Sequence, residues 1–166
     1  MKLFFIRVIV FFTLTSCSNI NFLLDTKEQS DFLKNKTVVF VDGWDNPILK
    51  DVLFLNIGEA SNKRLLLKAQ VTEKQTKRSI DENQVALKID YKIIVDYSLS
   101  DITGKCPEIK NRQISNFSFT PKSSGYNFAS DVLLKRLYEE AISKNVNDFL
   151  TFSYGELKSY KCLDED

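Results

Sequence analysis

Strict alternation dominates the middle of this chain. Val85, Leu87, Ile89, Tyr91, Ile93, Val95, Tyr97 and Leu99 hold the odd positions. Ala86, Lys88, Asp90, Lys92, Ile94, Asp96 and Ser98 hold the even ones. A period of two over this length predicts one long strand with a single buried face. At ~3.3 Å per residue it spans roughly 50 Å, more than a sheet usually needs, so it is expected to project as one arm of a hairpin. Leu65, Leu67, Ala69 and Val71 alternate with Arg64, Leu66, Lys68, Gln70 and Thr72, which predicts a second one-faced strand. Between the two runs lies a polar stretch, Glu73 to Gln84. A third strand is expected at about 108–120; its alternation slips between Ile114 and Phe117, which signals a bulge or an edge position. The β-branched and aromatic run Thr37 to Val41 reads as a short buried strand.

Two segments carry the helical period instead. Asn46-Pro47 reads as a cap followed by proline in the first turn, with Ile48, Leu49, Val52, Leu53 and Leu55 as the apolar stripe and Gly58 at the end. The second helix is expected at about 128–152, capped by Asn127 or Ser130, with Leu134, Leu137, Tyr138, Ala141, Ile142 and Phe149 in one arc. Asp101 to Gly104 supplies turn residues. The order is strand, helix, three strands, helix. One-faced strands need a cover, and two amphipathic helices provide it. The expected fold is α+β: a two-layer sandwich, a four-stranded mostly antiparallel sheet covered by two helices. Tyr91 and Tyr97 belong to its core face; Phe117 and Phe119 are weighed as partner contacts, and Trp44 stays undecided.

The first sixteen residues are set apart. Lys2 and Arg7 are their only charges, and Val8 to Leu14 form a short apolar core. This is a secretory-signal layout, too short for a membrane span. It ends in Leu14-Thr15-Ser16-Cys17, which resembles the bacterial lipobox. That resemblance implies a lipid on Cys17 and cleavage before it, giving a signal peptide at 1–16, a lipidated tether at 17–36 and a single domain at 37–166. Ser18, being other than Asp, fits the outer-membrane sorting pattern that goes with the lipobox. Loss of Lys2 and Arg7 leaves 21 basic side chains against 22 acidic ones, so acyl chains rather than overall charge would hold the protein to its membrane.

Composition removes whole classes of chemistry. The chain has 166 residues, enough for one core. At 43% hydrophobic it is too apolar for general disorder. It has no histidine, which excludes imidazole relays and imidazole metal sites. A formal charge of +1 leaves no nucleic-acid footprint. No phosphate loop or nucleophile elbow is present, and adjacent acids such as Asp81-Glu82 and Glu139-Glu140 point apart, so catalysis is not expected. Cys106 and Cys162 remain once Cys17 is set aside. An oxidising compartment favours their pairing over two free thiols, and their spacing argues against zinc. No cofactor or metal is expected.

A lipobox followed by this element order resembles the LPS-assembly lipoprotein LptE family over about residues 37–152. Thr37 to Val41 with Asn46-Pro47-Ile48-Leu49 resembles the family's first strand and helix. Arg64 to Leu67 resembles its second strand, and Tyr91 to Leu99 with Asp101 and Gly104-Lys105 its "Tyr-x-Leu-x-Asp-x-x-Gly" strand and turn. Gly125-Tyr126-Asn127 and the helix after it resemble the closing segment. Ser18-Asn19 and the two extra cysteines depart from the family. The resemblance implies a periplasm-facing outer-membrane lipoprotein that plugs an LptD-like β-barrel, helps it assemble and binds lipopolysaccharide during delivery to the cell surface. Lipid A phosphates call for cations. Lys74, Lys77 and Arg78, expected at the hairpin tip, and Lys122 in the loop before the last helix are the candidate contacts, against the plainer reading of solvated loops. The alternative function is a periplasmic lipoprotein adaptor or small-ligand binder unrelated to lipopolysaccharide.

Overall fold

The structure is a computed structural model and describes residues 31–43, 47–80, 86–121 and 128–160. The elements are β1 (Thr37–Gly43), α1 (Pro47–Ile57), β2 (Leu65–Ile80), β3 (Ala86–Asp101), β4 (Ile109–Phe119) and α2 (Phe128–Ser159). The strands form one sheet in the order β1-β2-β3-β4. β1 runs parallel to β2 because the α1 crossover returns the chain in the same sense. The other two pairs are antiparallel. This is the expected α+β arrangement.

The covered face is built from the odd positions. Leu65, Leu67, Ala69 and Val71 of β2 and Tyr91, Ile93, Val95, Tyr97 and Leu99 of β3 are all buried. α1 adds Leu49, Leu53 and Ile57, spaced four apart on one stripe. Leu55 was expected in that stripe but is 83% exposed, because it lies two residues, about 200° of helix rotation, from Leu53. Gly58 ends the helix at φ +73°, donating its N–H to the Phe54 carbonyl at 2.8 Å.

α2 runs seven residues further than the apolar arc suggested, to Ser159. Val146, Phe149, Leu150, Ser153 and Leu157 continue one buried stripe through Gly155, so packing carries the helix past its weak former. The core also begins earlier than expected. Leu33 is fully buried, its carbonyl accepts from the Thr37 hydroxyl at 2.9 Å, and Phe32 packs against Tyr154. The stretch expected as tether thus already belongs to the domain by Phe32.

β2 reaches Ile80, so half of the polar stretch is strand. It pairs with β3 throughout, with register shifts between Lys77 and Ile80. β1 stops opposite Val71, so beyond that point β2 has no neighbour on that side among the described residues, and its polar side chains suit an exposed position. β4 is an edge strand with an unbroken register and no bulge. Its apparent slip is Ile114, which sits on the uncovered face at 46% exposure. Phe117 and Phe119 lie on the covered face with Tyr91, not on a partner surface.

The turn after β3 is organised by one carboxylate. Asp101 is buried and accepts from the Thr103 N–H at 3.0 Å, the Thr103 hydroxyl at 2.7 Å and the Lys105 N–H at 3.2 Å. Burial alone would raise its pKa, but these bonds, with another from the Cys106 N–H, hold it below the ordinary value. A lowered folded-state pKa means stability that is present above the unfolded value and lost as pH falls through the folded one. Replacing Asp101 by Asn is expected to cost about 1–2 kcal/mol near neutral pH and to remove most of that acid sensitivity. Urea denaturation of both proteins at about pH 7 and about pH 3 checks this; an equal gap between them at the two pH values would refute it. Cys106 next to this turn is disulfide-bonded. Both other cysteines, Cys17 and Cys162, lie outside the described residues, so the expected Cys106–Cys162 pairing stays an expectation.

Candidate functional site: the uncovered sheet face

Among the described residues, α1 and α2 lie on one side of the sheet, so the even positions of β3 and β4 are left uncovered. Cross-strand register sets them in rows. Lys74 of β2 stands directly opposite Lys92 of β3, and Lys92 opposite Asn116 of β4. The next row outward is Thr76, Asp90 and Ser118. Arg78, at the irregular end of β2, contacts Asp90. Together these residues line a groove of about 480 Å³.

The groove is positive. Its carboxylate is spoken for: the Ser118 hydroxyl donates to Asp90 at 2.6 Å, and that bond, then Arg78, holds the Asp90 pKa below its ordinary value despite partial desolvation. Arg78 is neutralised in turn. Lys74 and Lys92 make no ion pair among the described residues. Like charges directly opposite on a sheet destabilise it, so this pair favours an anion between the two ammonium groups. The Asn116 side-chain amide stands beside them as a further donor.

A second, larger groove of about 1010 Å³ crosses the same face nearer the start of β3's partners. Most of its charges are matched, with Lys68 lying within electrostatic reach of Glu108. Arg112 grips Asp96 through two bonds, at 2.6 and 3.0 Å, and Lys110 pairs with Glu108 at 3.0 Å. Phe40, 57% exposed, gives it an apolar wall. Of the two grooves, the one between Lys74 and Lys92 has the larger positive excess.

The groove has a rigid floor. Tyr91 and Phe117, neighbours in sequence of Lys92 and Asn116, stack across the strands with centroids 4.9 Å apart. Tyr138 of α2 meets both edge-on, at 5.5 and 4.9 Å. This three-ring cluster pins the hairpin arm to the helix. Burial, then the neighbouring Glu73 carboxylate, raises the Tyr138 pKa and keeps its hydroxyl protonated.

Of the sequence candidates, Lys74 and Arg78 are brought together. Lys77 pairs with Ile89, one step out of phase, and so lies on the opposite side of the hairpin. Lys122 and Cys17 lie outside the described residues, as do Trp44 and the caps at Asn46 and Asn127. Lys92 was missed. Its even position in the alternating run marked it as exposed, but only the β2–β3 register places it against Lys74.

No protein-family model matches the chain, and no curated protein is similar enough to count as a relative. Solved structures share the fold. A lipoprotein of Caulobacter crescentus CB15 superposes with a TM-score of 0.55 at 15% identity, covering 82% of this chain and 98% of its own. The rare lipoprotein B of Shewanella oneidensis superposes with a TM-score of 0.51 at 11% identity, covering 75% and 97%. The structural neighbours are thus described as lipoproteins, in step with the lipobox-like Leu14 to Cys17. At these identities the likeness is one of fold. Among the described residues no helix is long and apolar enough to cross a membrane.

Proposed function

We propose that this protein is an outer-membrane lipoprotein, anchored through Cys17 and facing the periplasm, that acts as LptE does: lodging in an LptD-like β-barrel, assisting its assembly and binding lipopolysaccharide. One observation carries the reading. A chain whose N-terminus resembles a lipobox has the fold of a rare lipoprotein, over 97% of that protein's length. Two features add support. Among the described residues, no helix covers one face of the sheet, which leaves it available to a partner. That face presents a positive groove, with Lys74 and Lys92 placed to take a lipid A phosphate between them. The role is one of docking and binding, with no catalytic step.

Purification of the native, acylated protein in mild detergent tests the proposal. A stoichiometric large β-barrel should accompany it, and intact mass should show acyl groups on the mature chain. Recovery of the acylated protein without a barrel would favour the second reading, a periplasmic adaptor or small-ligand binder. The larger groove with its Phe40 wall is the feature that favours that reading.

A further inference from the structure

The end of α2 comes down beside the turn that follows β3. Tyr154 and Leu157 of the helix, Phe32 and Leu65 wall a pocket of about 240 Å³, and Cys106 closes one side of it. Backbone bonds hold these parts together. The Arg64 N–H donates to the Lys36 carbonyl at 2.9 Å, and the Ile102 N–H donates to the Arg64 carbonyl at 2.9 Å. Around its apolar walls the pocket is cationic. Lys36 and Arg64 line it, and Lys105 precedes Cys106. Asp101 also lines it, but that carboxylate already serves the turn through Thr103 and Lys105. Cys106 is disulfide-bonded, and the chain offers it two partners, Cys17 and Cys162. Cys162 follows Leu157 of the pocket wall closely, with Tyr160 still helical in its hydrogen bonding to Glu156. Cys17 is separated from Phe32 by a much longer stretch, so closing that loop costs more entropy. On the reading above, lipid also occupies the Cys17 thiol, and the inference rests on that reading to this extent.

We infer that the chain after α2 folds back over this pocket as a latch: Cys162 is joined to Cys106, Leu163 enters the pocket, and Asp164, Glu165 and Asp166 lie against Lys36, Arg64 and Lys105. The order of residues suits the order of surfaces. One aliphatic side chain follows the cysteine, for an apolar pocket, and three carboxylates follow that, for a cationic rim. The latch closes by exchange with a donor disulfide. A sulfur–sulfur bond forms between Cys106 and Cys162, the donor's bond breaks, and two protons and two electrons leave with the donor as a pair of thiols. The latch acts on the root of the tether. Phe32 and Lys36 lie where the chain coming from Cys17 joins the domain, and both line the pocket. A closed latch therefore clamps the root of the tether to the sheet and to α2, and reduction releases it.

The test begins with mass mapping of the purified mature protein, digested without reductant. A peptide pair joining Cys106 to Cys162 is expected, and acyl mass on Cys17 is scored separately. That link on an unacylated chain would support the latch and count against the function proposed above; a link from Cys106 to Cys17 would overturn the latch. Reduction should lower the melting temperature by about 8 °C, because the bond closes a long loop. It should also speed hydrogen exchange of the amides at 32–36 at least about tenfold and leave the centre of β3 unchanged. Two variants keep the bond and test the docking. Leu163→Asp puts a charge where an apolar side chain is expected, and should speed the same amides about tenfold. Asp164→Asn, Glu165→Gln and Asp166→Asn together should speed them about threefold at low salt and hardly at all in about 0.5 M salt, where such charges are screened. If both variants exchange like the wild type with the Cys106–Cys162 bond intact, the pocket is not filled by this segment and the inference is overturned.

Discussion

Phe149→Ala should lower the stability of the domain by about 4 kcal/mol, the largest loss expected from any single change considered for this protein. Phe149 is fully buried in the C-terminal half of α2, and its ring stacks on Tyr97 of β3 with centroids 4.0 Å apart. It is therefore the contact through which the helix layer grips the centre of the sheet. Truncation removes the transfer energy of a ring and leaves a cavity against a second ring that is held in place from its other end. The Tyr97 hydroxyl donates to Asn145 Oδ1 at 2.9 Å, and the Asn145 amide donates to Ser115 Oγ at 3.3 Å. Burial raises the Tyr97 pKa far enough that the hydroxyl remains a donor at any ordinary pH. Tyr97 is not free to swing into the hole. For a domain of this size the loss corresponds to a melting-temperature drop of about 12 °C or more. Calorimetry decides it; a drop of under about 3 °C would mean that the two layers are held mainly elsewhere. Tyr97→Phe is a useful companion. It keeps the stack but orphans Asn145, and should cost only about 1–2 kcal/mol.

The same contacts show how far the sequence could be read. The long alternating run announced β3 correctly because every odd side chain from Tyr91 to Leu99 has one job, to face the helices. Periodicity was less informative where the environment changes along an element. β2 is one-faced as far as Val71, then continues as strand with polar residues on both sides, because pairing with β3 and not burial holds it. Ile114 looked like a slip in phase, though the strand keeps its phase and simply exposes one isoleucine. At α2 the apolar arc read from the sequence ends at Phe149, yet Ser153 and Leu157 still face the core, where a small buried serine is as well accommodated as an aliphatic. Leu33 was hidden in a segment of mixed polarity with no period at all. The candidate site depends on a kind of information that periodicity does not hold. Which charges are compensated depends on register: Asp90 against Arg78 and Ser118, Asp96 against Arg112, and nothing against Lys74 except Lys92.

That last pairing makes the sharpest functional prediction. Lys74→Glu together with Lys92→Glu should weaken lipopolysaccharide binding by about tenfold or more, the equivalent of roughly 1.4 kcal/mol. A charge-assisted bond to phosphate is worth more than this when sheltered, but both ammonium groups are exposed and screened, which sets the lower figure. Added salt should weaken the wild type and leave the double variant nearly unaffected. Lys77→Glu is the control, because it makes the same charge change as either single substitution, on the other side of the hairpin, and should alter affinity little. The single change Lys92→Glu separates binding from folding. It turns a repulsive cross-strand pair into an attractive one, so stability should hold or rise by a few tenths of a kcal/mol while affinity falls. A loss of binding that accompanies a gain in stability cannot come from unfolding. Unchanged affinity in the double variant, or an equal loss from Lys77→Glu, would take the phosphate site away from this groove. The two lysines would then be an unrelieved repulsion on a strand that does not need them, and the uncovered face would have to serve its partner through the matched charges of the larger groove.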